Sequence, residues 1–157
     1  FEDALMPEDT ASYPLLVEAL DTAVCVGETL SNRFQFRDLF VQRGADLINP
    51  DLSRSGGISE TKRIAEMADT FGILWSPHLS SGLPPYMAAS IHLAVATPNA
   101  VILEGGNIYN ATDIGASRGN ILLKEPLEFK AGMAMVPERP GLGIEFDERE
   151  LQKIVVA

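Results

Sequence analysis

The chain has 157 residues, 46% hydrophobic and 22% charged, which is one domain's worth of ordinary soluble protein with room for a sizeable core. Its net charge of −10 argues against nucleic acid or an anionic membrane surface as partner, but not against a small anionic substrate held through a cation. The single cysteine, Cys25, excludes an intramolecular disulfide framework and suits a reducing cytoplasm, and no apolar run approaches transmembrane length.

In chain order, Phe1-Glu2 closes a truncated apolar run, and Leu15, Leu16 and Ala19 mark a helix after it. Thr22 to Glu28 reads as a strand, followed by a helix that starts around Ser31 or Asn32. Phe36, Leu39 and Phe40 give that helix one apolar face, and Gly44 is placed to terminate it. Ala45 to Asp51 is the next strand, and Ser55-Gly56-Gly57 a loop that needs permissive backbone. Ile64, Ala65, Ala68 and Phe71 form a helical stripe stopped by Gly72, and Ile73 to His78 is again a strand. Pro84-Pro85 open a helix whose Met87, Ile91, Ala94 and Val95 are expected to face inward, and Pro98-Asn99 end it. Ala100 to Glu104 is the last regular strand. The start Phe1-Glu2-Asp3 does not read as a signal peptide, so the sequon Asn110-Ala111-Thr112 carries no expectation of glycosylation.

Each of five apolar runs closes on an ionisable residue: Glu2, Glu28, Asp51, His78 and Glu104, at intervals of 26, 23, 27 and 26. A strand-then-helix unit repeated at this length, with a polar group at each strand's carboxyl end, is how a (β/α) barrel builds an active site. Alternation along the strands puts Val24, Val26 and Glu28 on one face. The same rule groups Leu47, Asn49 and Asp51, then Leu74, Ser76 and His78, then Ala100, Ile102 and Glu104. Trp75 and Cys25 are then expected to face the helices in packing roles. Five units fall short of the eight that close such a barrel, so the chain is expected to be part of something larger.

The series Phe1-Glu2-Asp3, Val26-Gly27-Glu28, Pro50-Asp51, Gly56-Gly57-Ile58, Pro77-His78 and Leu103-Glu104 resembles the enolase superfamily, and within it the mandelate racemase subgroup with its acid-sugar dehydratases. The run Val136-Pro137-Glu138-Arg139-Pro140-Gly141-Leu142-Gly143-Ile144 is similar to that family's carboxyl-terminal signature. The resemblance implies an α/β fold: the carboxyl-terminal portion, about strands 4 to 8, of a modified TIM-type (β/α) barrel. On this reading residues 1–125 form the partial barrel, and residues 126–157 a C-terminal segment that would pack on a missing capping domain. It also implies that Glu2 and Glu28 bind Mg²⁺, that Asp51 and His78 form a dyad with the imidazole as general base or acid, and that Glu104 hydrogen-bonds the substrate carboxylate as it becomes an enediolate. The third metal carboxylate, a basic residue two strands before Glu2, and the capping domain would come from a preceding segment. The complete protein is expected to be a homo-oligomer.

The chemistry suits these groups. Removing a proton next to a carboxylate creates a second negative charge, which a divalent cation stabilises more in the transition state than in the ground state. Adjacent strands lie about 4.8 Å apart, so Glu2 and Glu28 can share one ion. A carboxylate on one ring nitrogen of His78 fixes the tautomer and leaves the other nitrogen to take a proton. Glu104 can donate to an oxyanion only when protonated, which a low-dielectric barrel mouth with other carboxylates nearby favours. Extra residues around Ser80-Ser81-Gly82-Leu83 separate it from His78 relative to the racemase pattern. Arg54 has two readings, a cation that attracts the substrate's anionic end and a solvated loop residue. His92 lies inside a helix without an acidic partner and is read as structural, and Gly141 with Gly143 lacks the third glycine of a dinucleotide loop.

The leading expectation is Mg²⁺-dependent dehydration of a sugar acid. The alternatives are a racemase or cycloisomerase sharing the first step, and a non-catalytic fragment or subunit that completes a barrel with another segment. Unpaired strand edges and an apolar barrel interior should make residues 1–157, expressed alone, aggregate or form a loose oligomer. Size-exclusion chromatography showing a monodisperse monomer, together with a cooperative melt, would contradict this.

Overall fold

A computed structural model of the chain describes residues 1–79, 83–104 and 118–154. The sequon at Asn110 and the residues Ser80-Ser81-Gly82 lie outside them. The helices are α1 (Tyr13–Ala19, after a 3₁₀ turn at Thr10–Ser12), α2 (Arg33–Val41), α3 (Gly57–Thr70), α4 (Pro84–Val95), α5 (Arg118–Ile121) and α6 (Glu148–Gln152). The strands are β1 (Cys25–Val26), β2 (Leu47–Ile48), β3 (Leu74–Trp75), β4 (Phe129–Lys130) and β5 (Met133–Ala134). The described residues contain no helix long and apolar enough to cross a membrane.

Five segments pair in parallel, in chain order. Glu2 pairs with Cys25, β1 with β2, β2 with β3, and Trp75 with Ala100. Parallel neighbours joined by helices are the (β/α) arrangement expected from the sequence. The compact unit that holds them comprises Phe1–His78 and Leu93–Ile102.

Local chemistry sets the helix ends. Asn32 is the N-cap of α2: its side chain accepts from the N–H groups of Phe34 (3.1 Å) and Gln35 (3.2 Å), and the Gln35 side chain reaches back to the Ser31 N–H (2.8 Å). Phe36, Leu39 and Phe40 are buried, as the periodicity predicts. The end of α2 departs from expectation. Arg43, not Gly44, takes the left-handed position (φ 57°), and the Gly44 N–H closes the cap onto the Leu39 carbonyl at 2.9 Å. The absence of a Cβ at 44 lets Leu39 pack closely there, since a Cβ would stand 2.6 Å from Leu39 Cδ1. Helix α3 buries Ile64, Ala65 and Ala68 and, as predicted, is stopped by Gly72, which takes the left-handed conformation (φ 70°) just past the C-cap. Phe71 is half exposed because it sits beyond the last helical residue, where its ring meets Phe40 at 5.6 Å.

Two further stripes were only partly legible. In α1, Tyr13 is buried while Leu15 and Ala19, four apart on one face, are exposed. In α4, Met87 and Ile91 are buried as expected, but Val95 is exposed at the helix end and Leu93 is buried in its place. Between these elements, buried polar ties hold the unit. Trp75 Nε1 donates to Thr97 Oγ1 (2.9 Å), and the Asn99 side chain donates to the carbonyls of Ala65 and Ile73, both at 3.0 Å.

The second unit comprises Leu79–His92 and Leu103–Ala157. Its core gathers Leu79, Met87, Ala88, Ile91, Leu123 and Leu127, with Phe129, Leu142 and Phe146 packed against them. His92 Nε2 lies 3.2 Å from the Leu142 carbonyl and ties α4 to the segment from Val136 to Ile144.

Arg33 on α2 forms a two-pronged pair with Glu60 on α3, Nε to Oε1 at 2.6 Å and Nη2 to Oε2 at 2.7 Å. That guanidinium holds the Glu60 carboxyl below the usual carboxylate range. A depressed folded-state pKa stabilises the protein above the unfolded pKa, and the contribution is lost as pH falls through the folded value. Glu60→Gln should therefore lower the melting temperature near neutral pH, with the difference from the parent shrinking towards zero on acidification. Thermal melts of both proteins across a pH series test this, and a difference independent of pH would contradict it.

Candidate active site

Register decides which side chains share a face. Leu47 pairs with Leu74 and Asp51 with His78, so the columns Leu47–Asn49–Asp51 and Leu74–Ser76–His78 lie side by side as expected. The first column differs from expectation. Cys25 pairs with both Glu2 and Leu47 and so lies on the functional face, whereas Val26 pairs with Ile48, which pairs with Trp75, on the opposite, buried side. Glu28 nonetheless reaches the functional face, because Gly27 at φ 143° breaks the alternation; a Cβ on Gly27 would point at the Phe36 ring, 2.8 Å away. Ala100 also departs from its expected column. It pairs with Trp75 and therefore shares the side of Ile48 and Val26.

Four of the predicted residues meet in one cluster. His78 Nδ1 lies 2.9 Å from Asp51 Oδ2, and its Nε2 lies 3.0 Å from Glu28 Oε2. Asp51 is buried, and its Oδ1 accepts from the N–H (2.7 Å) and hydroxyl (2.6 Å) of Ser53. Those bonds fix the carboxylate plane, and the carboxylate in turn fixes the ring. With a proton on Nδ1 directed at Asp51, the Nε2 contact is a hydrogen bond only if a second proton sits between Nε2 and Glu28.

Glu28 also belongs to a group of three carboxylates. One oxygen each of Glu2, Asp3 and Glu28 lie within 4.8 Å of one another. Asp3 joins Glu2 on the same side because its backbone, at φ 40°, turns out of strand geometry. Burial first, and then the charges of Glu28 and Glu2, push the Asp3 carboxyl above its ordinary range. All three donors are hard oxygens, the kind Mg²⁺ prefers.

Arg54 is exposed and lies 3.4 Å, through Nη1, from the Glu28 backbone carbonyl. Glu104 belongs to the second unit, where its Oε2 accepts the Leu79 N–H at 2.9 Å. Two residues near the carboxylates carried weaker signals. Asn49, a polar residue inside the run Leu47-Ile48-Asn49, donates from Nδ2 to Glu2 Oε1 at 2.6 Å. Asp3 stands next to Glu2 in sequence, where alternation would have sent it to the other face.

A family described as "Enolase C-terminal domain-like" matches residues 1–150. A D-galactonate dehydratase of Variovorax paradoxus is 31% identical over 155 residues, a match covering 96% of this chain and 39% of that protein. A mandelate racemase/muconate lactonizing enzyme-like protein of Rubrobacter xylanophilus superposes with a TM-score of 0.85 at 30% identity, over 97% of this chain and 37% of that one. An enolase of Agrobacterium radiobacter, solved with Na and L-malate, gives 0.84 at 32% identity over 97% of this chain and 40% of its own. The chain thus spans about two fifths of the length of these relatives.

Gly27 is the most exacting position of the site. Gly27→Ala would place a methyl against Phe36 and a non-glycine residue at φ 143°, and should cost about 1–3 kcal/mol of stability. Denaturant unfolding of the complete protein measures it; a loss under about 0.5 kcal/mol, the scale of an inconsequential surface change, would contradict this account.

Proposed function

Because this chain belongs to the enolase C-terminal domain-like family, we propose that the complete protein removes the α-proton of a carboxylic acid and that the overall reaction is dehydration of a sugar acid. The observation that carries the reading is His78, held by buried Asp51 on one ring nitrogen and meeting, on the other, a carboxylate shared with the Glu2–Asp3–Glu28 group. The D-galactonate dehydratase relatives support the sugar-acid substrate class.

Glu2 and Glu28 would hold Mg²⁺, with Asp3 beside them. A cation there would supply positive charge where the substrate carboxylate gains its second negative charge. The chain's own residues do the rest. Asp51 holds the Nδ1 proton, so His78 exchanges protons through Nε2 alone. Glu28 approaches that same nitrogen, so whatever draws Glu28 towards the other carboxylates opens Nε2 to a substrate proton. Arg54 would draw the anionic substrate from its exposed position, and Glu104 would hydrogen-bond the substrate carboxylate. A preceding segment would supply the third ligand and the capping domain, and the protein would work as a cytoplasmic homo-oligomer.

Solvent deuterium tests the proton step. In the complete protein, label should enter the α-carbon of a bound acid whenever His78 returns a proton it has taken. His78→Asn should abolish exchange for one configuration while leaving metal binding intact. Asp51→Asn should reduce exchange less completely, since it disturbs tautomer and orientation without deleting the ring. A 2-keto-3-deoxy product from a sugar acid identifies the dehydratase, and the inverted acid identifies the racemase suggested by relatives such as the Rubrobacter protein. Full exchange at both configurations in the His78 variant would exclude the dyad.

A further inference from the structure

We propose that Asn49 is a positioning residue that sets the Glu2 carboxylate for cation binding, an inference that rests on the reading of Glu2 as a ligand. Asn49 is fully buried on the functional face, directly after β2. It makes one side-chain hydrogen bond, from Nδ2 to Glu2 Oε1 at 2.6 Å, and its backbone N–H donates to the Val26 carbonyl at 3.4 Å. Oδ1 is buried and has no partner among the described residues. The orientation of the amide follows from its surroundings. Were it reversed, two acceptors would face each other at 2.6 Å, and a buried donor would be stranded instead.

A carboxamide with half its groups unmatched contributes little to folding, and an apolar residue would suit the buried site better. What it supplies is a donor aimed at a carboxylate two strands away. The intervening strand leaves that path open. At the row of Asn49, β1 continues into Gly27, whose missing side chain would have pointed to Phe36 and not across the functional face. The bond engages Oε1, so the carboxylate is held in one rotation and its other oxygen is left for a cation. Ligating carboxylates are commonly fixed in this way, and losing the outer partner typically weakens metal affinity by roughly 10–100-fold.

The test is a Mn²⁺ titration of the complete protein, followed by the electron paramagnetic resonance signal of the free ion. Asn49→Leu keeps the branched shape and the number of heavy atoms and buries no unmatched group, so the fold is expected to survive, as a thermal melt will verify. It should weaken Mn²⁺ binding by about tenfold. Asn49→Ala, made in parallel, should show the same loss. In a Glu2→Gln background, where the carboxylate is already gone, Asn49→Leu should cause no further loss. If Glu2→Gln alone leaves Mn²⁺ affinity unchanged, the ligand reading fails and this inference with it. If Glu2→Gln weakens binding while both Asn49 variants stay within twofold of the parent, only the positioning role is overturned. An equal Asn49 effect with and without the Glu2 carboxylate would overturn it too, since the residue would then act on the fold at large.

Discussion

Parallel pairing in chain order is the constraint on which everything else here depends. Neighbouring strands are about 4.8 Å apart, so a side chain reaches its neighbour easily and the next strand only by extending fully. Asp51 and His78 meet because their strands are adjacent and their residues are paired. The two longer contacts each cross a whole strand. Asn49 reaches Glu2 over β1, and Glu28 reaches His78 over β2. Both crossings depend on the same short stretch, Gly27-Glu28, where the backbone leaves regular strand geometry. A regular strand through residue 28 would have turned the glutamate away from the histidine.

The framework was readable because each unit repeats one pattern, an apolar run closed by an ionisable residue and followed by a helical stripe. Terminal residues survive errors of phase, and Glu2, Glu28, Asp51 and His78 converge although the Val24–Val26–Glu28 column was assigned to the wrong face. The misassignments have a common origin. Simple alternation assumes an unbroken strand, and left-handed or near-left-handed residues at Asp3 and Gly27 break it. The same mechanism hid Asp3, which strict alternation sends away from Glu2. Where a helix stripe missed, the reason was different. Leu15 and Val95 have the right spacing, but at the ends of α1 and α4 exposure is decided by what packs nearby, which periodicity does not encode. The Asn99 bonds to Ala65 and Ile73 were invisible, since they tie together segments 34 and 26 residues away.

The electrostatics of the site are those of crowding. Three carboxylates share one small volume, a fourth lies behind the imidazole, and the exposed Arg54 guanidinium stands by the Glu28 carbonyl. Burial is the larger cause of the upward push on Asp3, and the like charges of Glu28 and Glu2 add to it, so the arrangement works against folding. The proposed cation would relieve this concentration of like charge. Glu28 is the hinge of that balance, since it faces the other two carboxylates and the imidazole at once.

Trp75 offers an unplanned advantage. It is the chain's only tryptophan, has no solvent exposure, and lies on β3 three residues before His78, with its indole N–H engaged by Thr97. Indole emission depends on the polarity around the ring, so this residue is a built-in optical reporter on the strand that carries the histidine. A blue-shifted emission band marks the strand as seated, and a red shift marks water reaching the Thr97 bond. The photophysics of this one side chain can thus follow β3 in real time, without any label being introduced near the chemistry.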